Sequence, residues 1–246
     1  MDRIGYARGT LAPRSGMTGE VPKPRVRPVR TMADMGMDMT ADMVSGSGMK
    51  DMDHGAASME PTSHGDHVMK KRSGPTSFKT DKNNPNVAMV IKNPKNRLAE
   101  PGAGLGNDGW KVLTYKDLVS IEPQQYKNIP DREMTIHITA NMERYMFSFD
   151  GKKFSEHDGP YLFKYHERLR LYLVNHTMME HPIHLHGMWM QLENGAKDLP
   201  FKHTVLVKPG EVMSLLITPI EKGDWAFHCH LLYHMEAGMF QVVRVS

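Results

Sequence analysis

A chain of 246 residues is long enough to bury a core, and its formal charge of +3, from 31 basic and 28 acidic side chains, is too small and too evenly mixed for a nucleic-acid footprint. A single cysteine excludes an internal disulfide and a four-cysteine zinc module, and it leaves the redox compartment open. No run approaches the roughly eighteen apolar residues of a membrane span, so no membrane span is expected.

Residues 1–30 carry "LAPRSG" and "VPKPRVRPVR", whose prolines remove backbone donors and bias their neighbours toward extended structure. They read as the extended remnant of a preceding domain. No apolar segment of signal-peptide type stands at the start. Residues 31–109 read as a Met/His-rich flexible linker. Nine of the 22 methionines fall within 31–69, together with His54, His64 and His67. Few aliphatic or aromatic side chains accompany them, so this stretch cannot bury enough apolar surface to offset its chain entropy. Thioether sulfur is a soft donor that suits Cu(I), and Met35, Met37 and Met39 place several donors close together. The blander reading is a linker of biased composition, and the pattern does not fix which sulfurs would converge.

From residue 110 onward the pattern changes to short alternating runs. "MTIHITANMERYMFSFDG", "RLRLYLVN", "HTVLVKPGEVMSLLITP" and "MFQVVRVS" mix β-branched and aromatic residues with polar ones at period two, separated by turns such as "FDGKK" and "VKPGE". An all-β Greek-key sandwich over 110–246 is expected.

Two segments within it concentrate ligand-type residues. "HPIHLHG" contains His181, His184 and His186; "HCHLLYHMEAGM" contains His228, Cys229, His230, His234 and Met239. Side chains two apart on a strand share a face and adjacent ones oppose. If the two segments are neighbouring strands, parity sorts Cys229 and His181 to one side, joined by His234 and Met239 from the turn that follows. That set, two imidazoles, a thiolate and a weak axial thioether, is the donor set of a blue-copper electron-transfer site. His184, His186, His228 and His230 form an all-imidazole group on the other side. Zinc could use the His and Cys ligands but gains little from Met239. A Cys-His hydrolase would leave the second imidazole group without a purpose.

With these residues placed, the chain resembles the C-terminal cupredoxin domain of a multicopper oxidase. More narrowly, "TMADMGMDM", "NMERYMFSFDG", "KHTV" and "DWAFHCHLLYHMEAGMF" resemble the copper-resistance protein A type. The resemblance implies type 1 copper on His181, Cys229, His234 and Met239, type 2 copper on His184, and the type 3 pair on His186, His228 and His230. It implies that electrons pass from substrate, here Cu(I), through the type 1 copper toward a trinuclear site that reduces dioxygen, with Cys229, His228 and His230 as the catalytic residues. It also implies a periplasmic location. In the family, two further His-x-His pairs from an N-terminal domain close the trinuclear site. The only such pairs here are 184/186 and 228/230, and "HGDH" at 64–67 has the wrong spacing. A chain without its N-terminal multicopper oxidase domain is therefore expected, with a partial trinuclear site. The alternative is a non-catalytic copper-binding or electron-carrier module. Glu180, Asp224 and Glu236 lie beside the motifs, where a carboxylate can orient an imidazole or meet an incoming cation, although exposed carboxylates are common; His137 and His203 are candidates for packing or surface roles, and Trp110, Trp189 and Trp225 for the core.

Overall fold

The computed structural model describes residues 7–21, 23, 29–37, 74–106, 109, 111–123, 126 and 129–246. Most of the methionine-rich stretch (38–73) and Trp110 lie outside the described residues. Among the described residues eleven strands run in chain order: β1 (Arg132–Asn141), β2 (Met146–Phe149), β3 (Tyr161–Phe163), β4 (Leu169–Asn175), β5 (His181–Leu185), β6 (Met190–Leu192), β7 (Phe201–Lys202), β8 (Thr204–Val207), β9 (Val212–Ile217), β10 (Gly223–Cys229) and β11 (Phe240–Val245). One short helix, α1 (Leu232–Glu236), lies between the last two strands. They form a six-stranded sheet, β2-β1-β4-β9-β6-β7, and a five-stranded sheet, β3-β11-β10-β5-β8. β1 runs parallel to β4 and β3 parallel to β11; the other pairs are antiparallel. This is the expected cupredoxin-like β-sandwich.

Period-two alternation explains the packing. Leu169, Leu171 and Leu173 of β4, Met213, Leu215 and Ile217 of β9, and Ile136 and Ile138 of β1 are fully buried in the core. The opposite face of β4 is covered as well, because Arg170 is buried between Glu133 and Glu193, at 2.7 Å from each. Residues 74–98 lie along the sandwich. The Thr76 N–H donates to Thr135 Oγ1 (3.0 Å), the Ala88 N–H to the Ala140 carbonyl (2.9 Å), and Lys95 bridges to Glu211. Asn86 and Leu98 are buried there.

His137, expected to serve packing or the surface, is buried in a pair with His176. The backbone N–H of Ile91 donates to His176 Nδ1 (3.1 Å), so His176 carries its proton on Nε2 and donates to His137 Nδ1 (3.0 Å). Phe78 stacks on His176 at 5.4 Å. Burial first, then the neighbouring His137, pushes His176 down from 6.5 to about 4. A depressed histidine contributes stability that is complete above pH 6.5 and is lost as pH falls through about 4, on the order of 3 kcal/mol in all. His176→Phe keeps the ring stack and removes the titration. The fall in unfolding free energy between neutral pH and pH 4, read by urea unfolding, should shrink by about that amount.

Candidate metal centre

The end of the sandwich where β10 runs out holds the ligand-type residues. In the β10–β5 register His228 faces His184 and Cys229 faces Ile183, so Cys229 shares the inner side with His181, while His184 and His228 lie on the other. Past Cys229 the chain turns through α1 and returns as β11. The Cys229 N–H donates to the Met239 carbonyl (3.1 Å) and the Met239 N–H to the His234 carbonyl (3.0 Å). These two bonds place the backbones of Cys229, His234 and Met239 side by side. The return passes hard against β2: the Phe147 N–H donates to the Ala237 carbonyl (3.3 Å). At Gly238, φ is +122°, and a Cβ would stand 2.7 Å from the Phe147 carbonyl oxygen and 2.6 Å from Lys153 Cγ. Only glycine fits that approach.

On the inner side, Cys229 Sγ lies 3.7 Å from His181 Nδ1 and 3.8 Å from His234 Nδ1, and the two nitrogens are 3.2 Å apart. Donors held about 2.0–2.3 Å from one centre are separated by about 3.3–4 Å in trigonal or tetrahedral array, so these three atoms already have the spacing of ligands to one small ion. Cys229, His181 and Met239 are 0% exposed and His234 only 4%. Phe147, also fully buried, stacks flat on His234 with centroids 3.8 Å apart. Burial lowers His234 and, helped by the charge of that neighbour, takes His181 down to about 3. Burial pushes the Cys229 thiol up to about 11, opposed by a hydrogen bond from the Leu231 N–H. In the absence of a cation the cavity therefore holds neutral groups. A bound cation inverts this logic and favours the thiolate. Thiolate plus two neutral imidazoles is a soft donor set that fits copper.

On the other side, ligand atoms of His184, His186 and His228 lie within 4.8 Å of one another, and the Nε2 atoms of His186 and His228 are 3.0 Å apart. Two backbone carbonyls aim these rings. His184 Nδ1 donates to the His203 carbonyl (2.7 Å) and His228 Nδ1 to the Cys229 carbonyl (2.9 Å), which leaves each Nε2 with a free lone pair. His230 stands at the margin, exposed, with its ring 5.7 Å from that of His184 and 5.9 Å from that of His228.

The three carboxylates beside the motifs do not contact the imidazoles. Glu180 pairs with Arg30 (2.6 Å) and Asp224 with Arg244 (2.7 Å), while Glu236 is exposed. Uncharged groups orient the rings instead: the two carbonyls, and the Thr177 hydroxyl, 2.8 Å from His181 Nε2. Trp189, expected in the core, is 56% exposed and tilts over His203 (5.4 Å) at the rim of the imidazole face. Thr177 and Phe147 were not singled out from the sequence. The signals that could have found them are a polar turn sequence, "NHT", just before the ligand strand, and an inward-facing aromatic on β2.

The multicopper oxidase family model matches residues 128–246. The copper resistance protein A homolog of Pseudomonas syringae pv. tomato is 45% identical, aligned over 100% of this chain and 43% of its own length. Copper resistance protein A of Escherichia coli is 42% identical, over 100% of this chain and 45% of its own length. The crystal structure of the McoA multicopper oxidase from Aquifex aeolicus is 25% identical, covering 51% of this chain and 31% of that one, with a TM-score of 0.44. The chain thus spans a little under half the length of these curated relatives. It belongs to the multicopper oxidase family, as a relative of the C-terminal part of copper resistance protein A.

Proposed function

We propose that this chain is the copper-binding, electron-relaying portion of a copper-resistance multicopper oxidase that acts in the periplasm. In this reading 110–246 is its C-terminal cupredoxin domain, 31–109 a Met/His-rich linker whose methionines gather Cu(I) and whose final part, residues 74–98, is not flexible but packs along that domain, and 1–30 the end of a preceding domain. The observation that carries the reading is the placement of a thiol with two Nδ1 atoms on one side of β10 and converging Nε2 atoms on the other. Copper held by His181, Cys229 and His234, with Met239 as a further weak donor, would supply one-electron oxidation of a reductant such as Cu(I), and copper held by His184, His186, His228 and His230 would supply reduction of dioxygen.

The protein's own groups do the rest. Phe147 and the buried walls keep water from the thiolate side. The peptide units joining Cys229 to His228 and His230 give a short covalent path between the two groups. The His203 and Cys229 carbonyls hold two imidazoles in the metal-binding tautomer. Beside the imidazole face lies a cleft of about 410 Å³ lined by Arg168, His184, His186, Trp189 and His203. We assign this face to a further, N-terminal multicopper oxidase portion that brings the remaining imidazoles. The greater length of the relatives supports that partner. Among the described residues no helix is long and apolar enough to cross a membrane.

Oxygen-electrode measurements on the copper-loaded chain with a reductant test the proposal. The chain alone should accept electrons and consume no dioxygen. Catalytic consumption by the chain alone would remove the need for a partner and overturn that part of the reading.

A further inference from the structure

The turn between β4 and β5 is built from buried polar groups, and each one is accounted for. Asn175 Nδ2 donates to the carbonyls of Met179 (2.8 Å) and Val207 (3.0 Å), and its Oδ1 accepts the Thr177 N–H (2.8 Å). His176 anchors the same turn, donating its N–H to the Ile138 carbonyl (2.9 Å) and accepting the Ile91 N–H at Nδ1 (3.1 Å). Between these anchors Thr177 is buried, and its hydroxyl has three partners: the Met179 carbonyl (3.1 Å), the Met179 N–H (3.2 Å) and His181 Nε2 (2.8 Å).

A hydroxyl has one hydrogen and two lone pairs. The Met179 carbonyl can only accept, so it takes the hydrogen. The Met179 N–H can only donate, so it takes one lone pair. The remaining lone pair faces His181 Nε2, which must then carry the ring proton. His181 Nδ1 is left unprotonated, and it is the nitrogen 3.7 Å from Cys229 Sγ and 3.2 Å from His234 Nδ1.

We infer that Thr177 is a positioning residue for the thiolate-side copper centre: its hydroxyl fixes the His181 tautomer and turns a free Nδ1 lone pair toward Cys229 before metal arrives. This rests on the copper assignment of the preceding subsection. It adds that the ring is pre-set by an uncharged group, the Thr177 hydroxyl, which brings no buried charge to the cavity. Orienting partners of this kind are worth about 10–100-fold in metal affinity.

The test compares the full wild-type chain with Thr177→Val, which keeps the shape and removes the hydroxyl, and Thr177→Ser, which keeps the hydroxyl and removes the methyl. Nitrogen-15 NMR of the metal-free protein, with the His181 signals assigned through a His181→Gln variant, reads the tautomer directly. Wild type and Thr177→Ser should carry the proton on Nε2. Thr177→Val should show a mixture, bind copper about 10–100-fold more weakly and shift the energy of any thiolate-to-copper band. A proton on Nδ1 in the wild type overturns the inference whatever the variants do. So does a Thr177→Val protein with unchanged tautomer and copper affinity within about twofold of wild type. A wild type with the proton on Nε2 that takes up no copper contradicts the copper assignment and leaves the hydroxyl's control of the ring standing.

Discussion

Cys229→Ser should yield a folded chain that, loaded with copper, shows no intense blue absorption. The colour of such a site comes from charge transfer out of a thiolate, and this sequence has one sulfhydryl to supply it. The substitution puts a hydroxyl where Cys229 is 0% exposed, but the Nδ1 atoms of His181 and His234 remain beside it to accept its hydrogen. The stability cost should stay near about 1–2 kcal/mol. His184→Ala is the contrasting variant. It removes an imidazole from the opposite side of the strand pair and should leave the blue band in place. Visible spectra of the two proteins after copper loading give the comparison, and loss of the band in both would mean that the two faces do not act as separate centres.

Gly238→Ala should be strongly damaging beside the thiolate side of the centre. Its φ of +122° is one that a side chain rarely adopts, and the new Cβ would meet the Phe147 carbonyl oxygen at 2.7 Å. Backbone strain of about 1–3 kcal/mol and a displaced β2 contact together predict a loss of about 2–4 kcal/mol, or roughly 5–15 °C in Tm. Because Gly238 precedes Met239, the distortion should also weaken copper binding on the thiolate side. Gly19→Ala provides the control, since a Cβ there meets nothing within 4 Å. Equal Tm values for the two variants would show that the return of the chain past β2 is looser than the geometry implies.

Strand parity in the sequence was enough to separate Cys229 and His181 from His184, His186 and His228, because alternation on a pleated strand is local geometry and the two motifs do lie on adjacent strands. The alternating runs likewise predicted the sandwich. What the sequence did not reveal depends on long-range contact. His137 and Phe147 sit on period-two strands like many other residues, and only the arrival of His176 and α1 gives them partners. Asn86 and Leu98 lie in a polar, Pro-rich stretch without a periodic signal; Asn86 is buried where its amide donates to the Gly151 carbonyl and Glu156, and Leu98 where it joins the sandwich core and its carbonyl accepts the Lys116 N–H. Trp189 misled for the converse reason. A large aromatic usually packs inward, but it follows the turn at Gly187, where φ is +72° and the Trp225 ring fills the space a side chain would take. His230 lies one residue past the end of β10, where parity no longer aims a side chain, and this agrees with its exposed position apart from the other imidazoles.

The central claim is that one strand faces two different centres, with the sulfur of Cys229 serving one and the imidazole of His228 the other. Copper titration of the wild-type chain, followed by visible and electron paramagnetic resonance spectroscopy, tests it most directly. The predicted result is an intense blue band that grows to one copper per chain and is lost from the His181→Ala and His234→Ala proteins. A first copper bound without that band, with a tetragonal all-nitrogen signature, would place the metal elsewhere and contradict the account.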